Sequence, residues 1–406
     1  MFGMGKRLCW FGVAAALGAP MWAAESADSM TLKEAVRSSD VKLSLRYRFE
    51  AVEDDGVERD ASASTLRTAL MLSTQEWRGL RLVLEAENVT VVGDSDGFRN
   101  AGAGSRSNGV TDRATVADVA QTELNQAFVE WRRGEWTGRL GRLEINEADQ
   151  RFIGAVGWRQ NHQSFDALSV QHKLNERVEL GYHYLDKVHR IFGDSRDLGG
   201  HYLKGKFDLG AAAGLRLYVL ELDFDDFPAL STRTVGAEIA GSHAFAEDRK
   251  LLYEGEIAQQ SDTGDNPSDV DAGYYHLMVG GAVGAWTVRA GLEVLEGSPE
   301  DGRFATPLAT LHKFNGWADK FLTTPSAGLE DLYLSLGHKR GSWNLVAAYH
   351  QFEAESASAE YGSEVDLQVS WKSDWGQTFA LKLADYSADD FSTDTTKWMV
   401  WTAYTF

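Results

Sequence analysis

Groups of residues in this sequence have the types and spacings that support chemistry. The tripeptide HQS places His162 two residues from Ser164, a spacing from which an imidazole can activate a hydroxyl as a nucleophile. Asp262, Asp265, Asp269 and Asp271 gather hard oxygen donors of the kind that hold Ca²⁺. In VKLSLRYRFE, residues 41–50, Lys42, Arg46 and Arg48 form a row of cations able to attract anions. His-x-Ser is a common tripeptide, and the aspartate spacing fits no calcium-loop template, so a solvated acidic loop, or one bridged to lipopolysaccharide phosphates by divalent cations, is the simpler expectation. No catalytic residue, metal or cofactor is assigned. What the cations do depends on the element that carries them.

That element is a strand. Val41, Leu43, Leu45, Tyr47 and Phe49 alternate with Lys42, Ser44, Arg46, Arg48 and Glu50, so an extended chain has one apolar face and one charged face. The pattern recurs at Leu80, Leu82 and Leu84, at Val178, Leu180, Tyr182 and Tyr184, at Trp286 to Val294, and at Val365 to Trp371. It predicts strands over 41–51, 63–74, 79–91, 122–132, 136–145, 163–174, 177–187, 200–208, 213–221, 232–243, 250–260, 271–281, 284–295, 329–338, 342–352, 362–372, 376–386 and 395–406. Short turns such as LNER and RRGEW alternate with long polar loops at 92–121, 146–162, 188–199, 260–270, 296–328 and 386–396. This predicts an all-β, transmembrane antiparallel barrel of about 18 strands, with short periplasmic turns and long extracellular loops.

The chain has 406 residues, a formal net charge of -20, only 6 Pro, and 13 Trp, 13 Tyr and 19 Phe. No long apolar run occurs in its body, which excludes membrane-spanning helices. At the start, Lys6 and Arg7 precede LCWFGVAAALGAPMWAA, the arrangement of a secretory signal peptide cleaved near Ala23 or Ala24. The lone cysteine, Cys9, leaves with it. The expected organisation is a signal peptide at 1–24, a short periplasmic segment at 25–40 and a barrel at 41–406, in the bacterial outer membrane. Tyr47, Trp77, Trp131, Trp136, Trp286, Trp343, Trp371 and Trp375 fall near strand ends, as interfacial girdles do.

At GRLEINEADQRFIGAVGWRQNHQSFDAL, residues 141–168, the sequence resembles the alginate export porin family of outer-membrane barrels. The matching elements are Gly141-Arg142 with Glu144, Asp149 with Arg151, Gly154, WRQN at 158–161, and Phe165-Asp166; LRYRFE also looks like that family's first strand. The resemblance implies a single-chain barrel with an arginine-lined constriction, conducting anionic sugar polymers or other organic anions. Arg151 and Arg159 join the selectivity residues on that footing. Outer-membrane phospholipases carry Asn-Gly after their His-x-Ser, whereas Phe165-Asp166 follows here, so lipid hydrolysis is the less favoured alternative.

Parity turns Lys42, Arg46, Arg48, Arg67, Arg81, Arg142, Lys204, Lys206, Arg216 and Arg289 toward the lumen and leaves Arg139 as a girdle or snorkelling residue. Glu238, Glu254, Glu256, Glu364 and Asp366 form an acidic wall on other strands, giving either a transverse field or local pairing across strands. Much of the remaining acid lies in EDDGVERD, DFDDF and SDTGDNPSD, all loops, so global charge does not decide what passes. The expected partners are outer-membrane lipid and lipopolysaccharide, small anionic solutes or an anionic polysaccharide, and periplasmic export or uptake components, with no nucleic acid. A general diffusion porin without anion preference is the alternative.

Overall fold

The computed structural model describes residues 30–210, 213–298, 300 and 302–406. The expected signal peptide, with Cys9, lies outside the described residues. The chain opens on a short helix, α1 (Leu32–Arg37). The strands that follow are β1 (Asp40–Asp54), β2 (Ala61–Ser73), β3 (Leu80–Val91), β4 (Gln121–Arg133), β5 (Trp136–Leu143), β6 (Ser164–Asn175), β7 (Val178–His189), β8 (Ser195–Asp208), β9 (Ala213–Phe224) and β10 (Thr232–Ala246). The second half comprises β11 (Arg249–Asp262), β12 (Asp271–Val283), β13 (Trp286–Leu295), β14 (Gly297–Ser298), β15 (Gly302–Arg303), β16 (Leu329–Arg340), β17 (Trp343–Glu353), β18 (Glu360–Lys372), β19 (Thr378–Ala388) and β20 (Thr395–Thr405).

Apart from the hairpin β14–β15, all belong to one 18-stranded antiparallel sheet in which each strand pairs with its neighbours in sequence. β20 returns to β1, with Ser44 opposite Thr405 and Asp54 opposite Thr395, so the sheet closes without an edge. Closure is what lets every backbone donor and acceptor find a partner in lipid. All of the expected strands are present. The largest shift is at β8, which starts at Ser195 because pairing resumes beyond an irregularity between Leu185 and Lys187.

The outer face carries the alternating apolar residues: Val41, Leu82, Leu140, Leu203, Ile257, Leu277 and Leu332 are all exposed, as lipid-facing side chains of a barrel are. At the short-turn end aromatic rings gather, with Trp136 stacked on His172 (3.9 Å) and Trp286 against His338 (4.0 Å). The helix α1 caps the same end; Ala35 is buried and its carbonyl accepts from Gln75 N–H of the β2–β3 turn (3.1 Å).

A lumen ringed by this many strands is too wide for wall side chains alone to fill. The loops at 144–163 and 296–328 turn into it. Phe152 and Ile153 from the first, and Phe304, Leu308 and Phe321 from the second, pack with inward-facing Tyr202, Tyr218, Tyr274 and Phe352 in one apolar cluster. Phe152 lies 5.2 Å from Tyr218, and Phe321 lies 4.5 Å from Phe352, ring to ring. Burying side chains of this size is worth about 1.5–3 kcal/mol each. The two loops also touch by backbone: Gly154 N–H donates to Leu308 C=O (2.9 Å), and a Cβ at Gly154 would collide with Thr310 Oγ1.

Gly154→Val should push the loops apart and speed chymotrypsin cleavage within 296–328, while heat-modifiable migration of the barrel persists. Unchanged cleavage would contradict the contact.

Candidate functional site

The site grows from β1. Parity sends Arg46 and Arg48 inward, where both meet the WRQN segment of the loop at 144–163. Arg48 donates to Trp158 C=O (2.6 Å) and to Asp118 Oδ2 (2.5 Å) and lies 3.5 Å from Glu50. Its guanidinium also sits over the Trp158 ring, 4.9 Å from the centroid. Arg46 donates to Gln160 Oε1 and Gly157 C=O, each at 2.8 Å, and to Arg159 C=O. Each residue of WRQN is tied down: Arg159 reaches Glu50 (3.2 Å), Gln160 Nε2 donates to Thr65 Oγ1 (3.0 Å), and Asn161 Nδ2 donates to Val119 C=O (2.7 Å). The loop holds Ala148, Gln150 and Val156 at positive φ, strain that persists only because these contacts over-determine it.

A second set of contacts locks the loop at 296–328 onto the first. Arg159 and Lys397 both pair with Asp319 Oδ2, at 2.9 and 2.8 Å. His312 Nδ1 lies 2.7 Å from Asp319 Oδ1, and its Nε2 lies 3.1 Å from Lys382 Nζ. Trp158 stacks on His312 at 4.5 Å between ring centroids, with Lys382 Nζ 4.1 Å from the Trp158 ring. Burial drives His312 down to about 3, with Lys382 opposing its protonation and Asp319 favouring it. Asp319 sits well below the ordinary carboxylate range: burial alone would raise it, but Lys397 and His312 outweigh that.

The remaining expected site residues divide by what they touch. Arg67 pairs with Glu85 (3.2 Å) and Glu87 (2.7 Å). Arg151, buried, pairs with Glu293 (2.9 Å) and Asn315 (3.1 Å). Lys204 holds Glu147 at 2.6 Å, and Arg216 holds Glu238 and Glu256 at 2.5 and 2.9 Å. These charges neutralise one another locally. Lys42, Lys206 and Arg289 face the lumen exposed and carry no salt bridge among the described residues.

Arg142 does not face inward. It lies opposite Ala127 and Asp166, on the same face as the lipid-exposed Leu140, and pairs with Asp166 (2.9 Å), which also binds His189 (2.9 Å). Arg139 is the inward one and pairs with Glu130 (2.8 Å). The reversal has a physical cause: Leu143 and Ile145 are apolar yet buried inside against the loop cluster, so apolar character did not mark lipid at this end of β5.

The two other candidates of the sequence engage partners of their own. His162 Nδ1 lies 2.8 Å from Glu144, and no hydrogen bond joins it to buried Ser164 among the described residues. Asp262 accepts from Val270 N–H (3.1 Å) and Asp271 from Gln259 Nε2 (2.6 Å); among the described residues no grouping could hold a metal. Below the loops, toward the short turns, a cavity of about 1330 Å³ is lined by Lys173, Arg177, Lys206 and Arg216 with Glu135, Glu176, Glu179, Asp208 and Glu238, and reaches up to Ala148.

Removing one partner of a buried ion pair leaves an uncompensated charge, at about 3–5 kcal/mol. Arg48→Ala should therefore unpin WRQN, raise open-channel current noise and shift Trp158 emission to the red; quiet current and unchanged emission would contradict the anchor. A histidine with a folded-state value below its unfolded value near 6.5 takes up a proton more readily once its loop is released. The pinned state should thus weaken as pH falls from about 6.5 toward 3, with Asp319 adding to the loss below about pH 4. Noise that grows between about pH 7.5 and about pH 4 is expected, and noise independent of pH would contradict it.

The sequence matches the family described as alginate export over residues 37–300, more than half of the chain. No curated protein sequence matches. Among solved structures the chain is similar to Pseudomonas aeruginosa OccK9 (OpdG), with 13% identity, TM-score 0.74, and coverage of 92% of this chain and 99% of that one. It is similar also to Acinetobacter baumannii OccAB2 (16%, TM-score 0.71, 92% and 99%). OpdK of Pseudomonas aeruginosa, crystallised with vanillate, aligns at 12% identity and TM-score 0.71 over 91% and 99% of the two chains. The closed barrel is thus shared with these outer-membrane proteins, and the chain belongs to the alginate export family.

Proposed function

We propose that the protein is a passive outer-membrane channel for small hydrophilic anions, such as uronate-type sugars and organic acids. It reaches the membrane through a signal peptide cleaved near residue 24, and it carries out no catalysis. One observation supports the anion preference above the rest. The inward carboxylates Glu50, Glu87, Glu130, Glu293, Asp331 and Glu364 are buried, whereas the inward cations Lys42, Lys206 and Arg289 are exposed. Mobile ions respond to the charge they can approach. The attraction must stay shallow for solutes to leave. Vanillate in OpdK, itself a carboxylate, agrees with this class. Outside, Arg142 with Asp166 and His189 faces the lipopolysaccharide leaflet.

The nearly balanced lining of the large cavity, Lys173, Arg177, Lys206 and Arg216 against Glu135, Glu176, Glu179, Asp208 and Glu238, favours the second reading, a general diffusion porin. Reversal potentials across a salt gradient separate the two. The proposal expects anion preference, reduced by Lys42→Gln combined with Arg289→Gln, since both side chains are exposed and their loss leaves no buried charge. A cation-selective or indifferent wild-type pore would contradict it.

A further inference from the structure

A row of charge crosses the sheet at the periplasmic end of β3, β4 and β5. Arg81, Glu130 and Arg139 stand directly opposite one another in register. Arg132, two residues further along β4, points to the same face. All turn inward, because the residues between them, Leu80, Leu82, Val129, Trp131 and Leu140, are exposed on the outside. The three guanidiniums converge on one carboxylate: Arg81 reaches Glu130 Oε1 at 2.7 Å, Arg132 reaches it at 2.9 Å, and Arg139 reaches Oε2 at 2.8 Å. The Glu130 side chain is 2% exposed, while those of Arg81, Arg132 and Arg139 are 35, 49 and 36% exposed.

The arrangement is lopsided in charge and in donors. One carboxylate cannot neutralise three guanidiniums, so the cluster keeps an excess of positive charge on the lumen side. Each guanidinium has five N–H donors in a planar fork, and Glu130 offers only two oxygens to share among them. Glu130 therefore orients the forks, and all three guanidiniums keep donors that it does not engage while remaining partly exposed. Phe128 backs Arg139, 6.0 Å from its guanidinium carbon, and stiffens the wall. Elsewhere in the lumen, at Arg48, Arg67, Arg151 and Arg216, the guanidiniums are buried. Here they are held together and open.

We propose that Arg81, Arg132 and Arg139 form a carboxylate-binding station for acidic sugars at the periplasmic entrance, held in shape by Glu130. The proposal rests on the channel reading above and adds a place and a side: an acidic oligosaccharide arriving from the periplasm meets this station before it meets the loop constriction. A single sugar acid engages one fork, and an oligomer engages two or three and dwells longer. Neutral sugars have nothing to pair with and pass without dwelling.

The test uses the full-length barrel in planar bilayers, with trigalacturonate as probe and maltotriose as neutral control. Trigalacturonate added on the periplasmic side should produce resolved current blocks, and maltotriose none. Arg132→Gln, the most exposed of the three, should shorten the blocks about tenfold, and Arg132→Gln with Arg139→Gln should abolish them. Both variants must retain heat-modifiable migration. Should the double variant lose it, Arg132→Lys, which keeps the charge and loses the fork, should still shorten the blocks. Blocks of equal length in folded variants, or arising from the extracellular side alone, would overturn the station. An anion-selective wild type that trigalacturonate does not block would overturn the station and leave the channel reading standing, whereas a cation-selective wild type would overturn that reading itself.

Discussion

A guanidinium placed inside a protein must have its charge met, and in this barrel Arg48 meets it with Asp118, Glu50 and the carbonyl of Trp158. Those partners come from one strand and two different loops, so satisfying one cation fixes the position of both loops against the wall. Glu50 then recruits Arg159, Arg159 recruits Asp319, and Asp319 recruits Lys397 from β20, across the closure, and His312 from its own loop. No member can leave without exposing the others to an unpaired buried charge, and the cooperative chain holds the loops inward more firmly than apolar packing alone would. A closed sheet this wide needs such a device, because its wall side chains cannot meet across the lumen.

The wall itself was largely legible in the sequence. Lipid makes a uniform demand on one face, and strand period converts it into a pattern that Val41 to Phe49 displays without interruption. The interior answers to no uniform demand. Leu143 and Ile145 are apolar because loops cover them, and that reversed the expected directions of Arg142 and Arg139. Parity correctly turned Arg48, Arg67, Lys204 and Arg216 inward, but parity gives the face and says nothing of exposure, and all of them are buried. The family motif was visible as WRQN, yet its role was not, since Arg46 and Arg48 bind it from more than 100 residues away in sequence. Asp319, His312 and Lys382 gave no signal at all, being scattered polar residues until the fold brings them together.

The chain's net charge of -20 is distributed unevenly, and the distribution matters more than the sum. Exposed acids such as Asp55, Glu58, Asp225, Asp226, Asp265 and Asp269 lie in extracellular loops, where salt screens them. Carboxylates inside the lumen are mostly spent on holding arginines and loops. Among the exposed groups that line the cavity toward the short turns, Arg177 and Lys206 stand beside Glu176 and Asp208.

The loop at 144–163, pinned by Arg46 and Arg48, narrows an otherwise wide barrel. The most direct measurement is the single-channel conductance of a protein in which residues 147–161 are replaced by a short Gly-Ser linker, the strands being left intact. A conductance several times that of the wild type is expected. An unchanged conductance would contradict it and place the constriction elsewhere.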